Sequence, residues 1–201
     1  MTQALHHIQP RVTAADYLRR ERTSEVKHEY LEGKVLGMAG ATTAHVKIAG
    51  NLYFSLRSRL VGKPCQPYGT DMRIATGRGA SYVYPDLTII CGEIQHEPAD
   101  DQLETVTNPT AVVEVLSPST ANRDRSVKFT AYQQASSFRE YVLVAQDAPI
   151  VETFYRQDDG VWAFNHAHGL DAFVRLKSID VQLPLAEIYA NVEFDDTAPV
   201  T

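Results

Sequence analysis

"TNPTAVVEVLSPSTANRDRSVKFTAYQ", residues 107 to 133, decides how the chain is read. Ala111, Val112, Val113, Val115 and Leu116 make an apolar run of strand length, the pattern of a strand buried on both faces. Glu114 stands in the middle of that run. A lone carboxylate in such a strand is costly unless it is paired or bound to metal. The run stops at Ser117-Pro118 and restarts as a helix pattern over "NRDRSVKFTAYQQASSF", which carries Lys128. Val127, Ala131 and Gln134 fall roughly on one side of that helix. A second buried-type strand, "EYVLVAQD", follows at 140–147.

Working outward, Thr13 and Asp16 in "RVTAADYLRRE" have capping-box-like spacing, and a short helix is expected from about Ala14. "KHEYLEGKVLGMAG" reads as two strands turning at Glu32-Gly33. In "TTAHVKIAGNLYFSLRSRLVG" the residues Val46, Ala49, Leu52, Tyr53, Leu56 and Leu60 fall at helical spacing, and Gly62 ends the helix. "PYGTDMRIA" and "YVYPDLTIICG" are strand-like, with "TGRGAS" a loop between them. Past the central stretch, "PIVETFYRQDDGVWAFNHAHG" is a hairpin turning at Asp158-Asp159-Gly160, and "LPLAEIYANVEF" is a last short helix after Pro184. The order of elements gives an α/β or α+β fold, a mixed sheet flanked by helices with additional hairpin strands.

The chain has 201 residues, 44% hydrophobic and 22% charged, as ordinary globular proteins do. No apolar stretch approaches the roughly 18 to 20 residues of a membrane span. The first residues lack the apolar core of a signal peptide, so a cytoplasmic location and no membrane partner are expected. Cys65 and Cys91 are too few for a disulfide framework, and a reduced state fits that location. The net charge of −6 argues against tight non-specific binding to nucleic acid, which depends on Lys and Arg, but leaves room for a local basic patch. Arg19, Arg20, Arg22, Arg57, Arg59 and Lys63, on or beside the two front helices, are the expected phosphate-facing rim.

Three residues make a constellation. Asp86 follows Pro85 in a strand-like segment, Glu114 lies in the next strand, and Lys128 sits on the helix after it. Two carboxylates on adjacent strands can share a divalent cation, and Mg²⁺ often takes only one or two of them. Such an ion activates water and stabilises charge on a phosphoryl oxygen, and a nearby ammonium adds to that effect. Bland readings compete. Pro-Asp is most often a turn, a strand Glu is more often at an edge or paired with Arg or Lys than bound to metal, and Lys128 can pair with Asp124 at i,i+4 on its own helix.

The segments "YPDLTIICG", "EVLSPST…DRSVKF…Y", "HEYLEGKVLGMAGATTAH", "GTDMRI" and "LPLAEIY" resemble the Uma restriction-endonuclease family, within the PD-(D/E)XK nuclease superfamily. The resemblance covers most of the chain and implies one nuclease-like domain over 1–201. It implies metal-dependent phosphodiester hydrolysis, DNA as partner, Mg²⁺ as cofactor with Mn²⁺ as substitute, and a homodimer as a candidate assembly. It places Asp86 and Glu114 as metal ligands and adds Glu29 to the catalytic set. The superfamily's lysine two residues past the acidic ligand is replaced here by Leu116, and Lys128 takes the role. Its ammonium is expected within about 5 Å of Glu114, the reach of a flexible stem. His45 and Asp71 are accessory candidates, while His166 and His168 read as a solvated hairpin. Two other functions stay open: a catalytically silent nuclease-fold module that binds or regulates, and hydrolysis of a smaller phosphoester.

Overall fold

The computed structural model describes residues 11–38, 40–77, 79–100 and 105–194. The first helix, α1 (Ala14–Glu21), begins where the cap signal placed it, with Thr13 Oγ1 accepting from the Asp16 amide at 3.1 Å. Strands β1 (His28–Leu31) and β2 (Lys34–Gly37) form the expected hairpin. Its two turn residues, Glu32 and Gly33, both have positive φ, the backbone that matches the twist of a tight hairpin. Helix α2 (Thr43–Arg59) follows, capped by Thr42, whose hydroxyl accepts from the His45 amide.

The next segments differ from the sequence reading. Each of the two long strand-like runs is two strands. β3 (Cys65–Tyr68) and β4 (Ile74–Thr76) divide the first, and β5 (Ser81–Val83) and β6 (Leu87–Cys91) divide the second. β5 joins a four-stranded sheet ordered β2-β1-β5-β4, whereas β6 joins the six-stranded one. The chain leaves one sheet for the other at Tyr84-Pro85, where proline offers no amide to continue a ladder.

The opening stretch behaves as its pattern demands. β7 (Ala111–Leu116) is buried along its whole length. It pairs antiparallel with β6 and parallel with β8 (Glu140–Ala145). A parallel neighbour needs a crossover, and the helix supplies it as α3 (Ala121–Arg123), a π-helical turn (Asp124–Lys128) and α4 (Phe129–Tyr132). The inner face of this crossover helix is not the expected one. Val127 is 42% exposed and Gln134 is exposed, while Asp124, Lys128 and Tyr132 are buried. Polar groups take the inside because each finds a partner there.

β9 (Ile150–Arg156) and β10 (Trp162–His168) extend the large sheet to the order β10-β9-β8-β7-β6-β3. β11 (Phe173–Leu176), a 3-10 turn (Lys177–Ile179), β12 (Val181–Pro184) and α5 (Leu185–Ile188) close the chain. Ala111, Val113 and Val115 of β7 pack with Ile48, Leu52 and Leu56 of α2 on one side. Val112 and Leu116 pack on the other with Tyr132, Ala135 and Phe138. By alternation Glu114 shares this second face.

The reduced state expected of the cysteines does not hold. Cys65 and Cys91 are disulfide-bonded, directly opposite each other on β3 and β6 with Cα atoms 3.9 Å apart. Their separation of 26 residues hid the pairing, because the register of an antiparallel pair with a long excursion is not visible locally. Among the described residues, no helix is long and apolar enough to cross a membrane.

Candidate active site

The β6–β7 ladder runs from Leu87↔Val113 to Ile89↔Ala111. One step further in the same register puts Asp86 opposite Glu114, and opposed residues of an antiparallel pair point to the same face. At this step the Asp86 side chain takes over from the backbone. Its Oδ2 accepts from the Val115 amide at 2.7 Å, and its Oδ1 lies 2.9 Å from His45 Nε2. The hydrogen bond to Asp86 raises the His45 pKa, against the lowering effect of burial. The Thr42 hydroxyl, 2.6 Å from Gln146 Oε1, ties the start of α2 to the end of the β8 region.

Glu114 is held by two groups from the crossover helix. Lys128 Nζ lies 2.6 Å and Tyr132 Oη 2.7 Å from its Oε1. The same ammonium lies 3.0 Å from Glu29 and 3.5 Å from Asp124. Glu29 comes from β1 of the smaller sheet and also accepts from the Tyr84 amide at 3.3 Å. Lys128 therefore joins both sheets and the helix at one point. The π turn containing it is a form often found at functional sites. Asp124 is a real i,i+4 partner of Lys128, but this pair is buried and serves the same cluster.

Burial pushes the Glu114 pKa up to about 8, and Asp124, Asp86 and Glu29 push the same way against the Lys128 charge. Burial lowers the Lys128 pKa, yet Glu114, Glu29 and Asp124 outweigh it and hold the ammonium protonated. The two shifts are compatible because a single ammonium is shared among three carboxylates. It keeps its proton, and Glu114 is left under-neutralised.

The cluster forms the floor of a cavity of about 850 Å³. His45, Val46, Ala49 and Tyr53 of α2 make one wall, and the 117–120 turn makes another. Two expectations fail here. Asp71 is highly exposed and paired with Lys27; Lys27 lines the cavity and Asp71 does not. The expected arginine rim is also elsewhere. Arg57 and Arg59 sit at the far end of α2, bound to Gln66 and Glu187. Among the described lining residues the basic ones are Lys27, Arg123 and Lys128, with His45 beside Asp86. His166 and His168 are exposed on β10, away from the cluster.

Residues 14–186 match the family model Uma2, described as "Putative restriction endonuclease". The chain belongs to the Uma2 family. It is 30% identical over 186 residues to the uncharacterized protein slr1290 of Synechocystis sp., covering 92% of this chain and 95% of that one. A second uncharacterized Synechocystis protein, sll1609, is 31% identical over 170 residues, covering 85% and 95%. The fold matches a crystal structure described as a putative nuclease belonging to DUF820 from Anabaena variabilis. The TM-score is 0.72 at 17% identity, over 89% of this chain and 97% of that one.

Within this Uma2 chain, Leu116 lies on the same face of β7 as Glu114 and packs into the apolar cluster there. The position two residues past the acid is thus filled by core, and the ammonium arrives from the helix instead. Sequence reading missed Tyr132, Thr42 and Arg123, whose Nε is 3.9 Å from Glu29. For Tyr132 a signal existed: Asp124, Lys128 and Tyr132 recur at i, i+4, i+8, one helix face. Thr42 and Arg123 carry no such signal, since their partners are distant in sequence.

Proposed function

We propose that this chain is a divalent-metal-dependent endonuclease that hydrolyses phosphodiester bonds in DNA. The observation that supports the reading is that Asp86, next to the end of the β6–β7 ladder, lines one cavity with Glu114 and its ion-pair partner Lys128. The donor set fits a hard cation. Glu29, Asp86, Glu114 and Asp124 bring four carboxylates to a floor whose buried cation is Lys128. Among the described residues no three His, Cys, Asp or Glu side chains enclose an ion by themselves. Mg²⁺ does not require that, since one or two carboxylates with water and substrate phosphate complete its shell. Asp86 and Glu114 would hold Mg²⁺, with Mn²⁺ as a substitute.

A bound ion of this kind supplies Lewis acidity and a water of lowered pKa. The chain does the rest. His45 and the Val115 amide fix the Asp86 carboxylate, and Tyr132 fixes Glu114. Lys128 puts a permanent positive charge where a phosphoryl group gathers negative charge, an effect worth on the order of a hundredfold in rate. Glu29 and Asp124 hold that ammonium in place.

The competing reading, a catalytically silent binding module, draws on the same contacts, because Lys128 and Tyr132 already satisfy Glu114 without an ion. Plasmid and oligonucleotide cleavage in Mg²⁺ or Mn²⁺, with a chelator control, decides between the two. Asp86→Asn and Glu114→Gln should each lower the rate on the order of a thousandfold, several kcal/mol of lost metal-centred stabilisation. Calorimetry should show loss of Mn²⁺ binding in both variants. A parent protein that neither binds Mn²⁺ nor cuts DNA would leave only the silent reading.

A further inference from the structure

Helix α2 has two apolar faces. Ile48, Leu52 and Leu56 point into the core. Val46, Ala49 and Tyr53 form a second stripe at i, i+3 and i+7, and this one walls the cavity. Val46 is 60% and Tyr53 41% exposed, so the chain itself leaves the stripe open. The stripe begins beside His45, whose ring touches Asp86. It ends at Tyr53, eight residues on, about 12 Å along the helix axis. Apolar residues thus lead outward from the acidic floor, exposed at Val46 and Tyr53 and half-buried at Ala49.

The charge around it is not that of a duplex site. Among the described lining residues, Glu29, Asp86, Glu114 and Asp124 stand against Lys27, Arg123 and Lys128, four acids to three permanent bases, with His45 on Asp86 besides. Each of those bases already faces a carboxylate: Asp71 for Lys27, Glu29 for Arg123, and Glu114 for Lys128. The whole chain carries −6. Affinity for duplex DNA comes largely from neutralising phosphates, whereas unpaired strands also gain from stacking each base on an aromatic side chain.

We propose that the cleft takes unpaired DNA: the scissile phosphate sits over Asp86 and Glu114, and the neighbouring bases lie on the Val46–Ala49–Tyr53 stripe with Tyr53 as the stacking platform. This rests on the hydrolytic reading of the floor and adds the substrate class. It makes single strands, flaps or locally opened duplex the substrates.

The test is fluorescence anisotropy of the whole protein, with Ca²⁺ replacing Mg²⁺ to hold off cleavage, on a labelled single strand and on its fully paired duplex. The single strand should bind at least about tenfold tighter, and Tyr53→Ala should cost it about tenfold or more, in line with the loss of one stacked base. Tyr53→Phe should keep the affinity, and Val46→Glu should weaken it. Equal or tighter binding of duplex overturns the proposal, as does an unchanged Tyr53→Ala or no binding to either probe. Cleavage in Mn²⁺ is scored separately. Strand preference and Tyr53 dependence without cutting would refute hydrolysis and uphold the stacking platform. Duplex cut at the parent rate by Tyr53→Ala would uphold hydrolysis and refute the platform.

Discussion

Two buried cations in this protein are housed in opposite ways. Arg73 is 2% exposed, bonds Asp100 and Thr105, and lies 5.7 to 5.8 Å from the ring centres of Tyr17, Tyr82 and Tyr84. Arg22 also approaches Asp100, at 3.7 Å. That cluster gathers positive charge and aromatic faces around one acid. Lys128 is 4% exposed and sits among Glu114, Glu29 and Asp124, with Asp86 close by, at the floor of an open cavity. Crowded buried carboxyl groups facing a cavity are costly to ionise together, and it is the kind of cost that a bound cation would offset. The first cluster has the makings of a structural joint, the second those of a site.

The largest expected effect tests that contrast directly. Arg73→Ala and Lys128→Ala should each destabilise the metal-free protein by about 3–5 kcal/mol, the usual result of stripping one partner from a buried pair. Urea denaturation should then separate them. Mn²⁺ should restore part of the stability lost in Lys128→Ala, where three carboxylates have lost their ammonium, and none of that lost in Arg73→Ala. Equal response to the ion in both variants would erase the distinction.

The next effect is in pH. Glu114 titrates near 4.5 when unfolded and is raised to about 8 in the fold. The native state then holds more protons than the unfolded state between these values, so stability falls as pH rises through that window. In chelator, the parent should be most stable below about pH 4.5 as far as Glu114 is concerned, and lose that contribution by about pH 8. Glu114→Gln should flatten this slope, as seen in thermal melts across the range. A slope unchanged by that substitution would mean Glu114 is ionised throughout.

The smallest effect concerns one hydroxyl in each cluster. Tyr132→Phe and Thr105→Val should each cost about 1–2 kcal/mol, a buried hydrogen bond to a carboxyl group lost with little change of shape. Only Tyr132→Phe should also slow cleavage, by about tenfold, because its hydroxyl orients a carboxylate in the cavity. If Thr105→Val slows cleavage as much, the two regions are coupled rather than separate.

How much of this was legible beforehand varies with the kind of interaction. β7 was readable because a single charge in an apolar run is locally anomalous. The first hairpin was readable because its turn carries a glycine, Gly33, at a positive φ. The helical source of the ammonium was also readable, since Lys128 follows Glu114 closely in the chain. The crossover helix was read on the wrong face because apolar periodicity is a poor guide where the inner face is polar and satisfied, as at Asp124 and Lys128. The break at Tyr84-Pro85 and the Cys65–Cys91 bond depend on which sheet a strand joins, which no local pattern records. On α2, Val46 and Tyr53 were counted with Leu52 and Leu56 because spacing alone does not separate an apolar face that meets the core from one that meets a cavity.

The π turn of the crossover helix has an evolutionary corollary. It winds more residues into a turn than an α-helix does, so it behaves as an insertion frozen into the helix. Removing any one residue between Asp124 and Lys128 would let the helix close as α with its two halves nearly in phase, because a π turn takes up one extra residue locally. What the deletion would change is the spacing of Asp124 from Lys128, from four residues to three, and with it the wide turn that seats the ammonium among Glu114, Glu29 and Asp124. Substitution at exposed Val127 is easily borne, whereas a gap is not. In this stretch the count of residues matters to the ammonium's seat alongside the identity of Asp124 and Lys128.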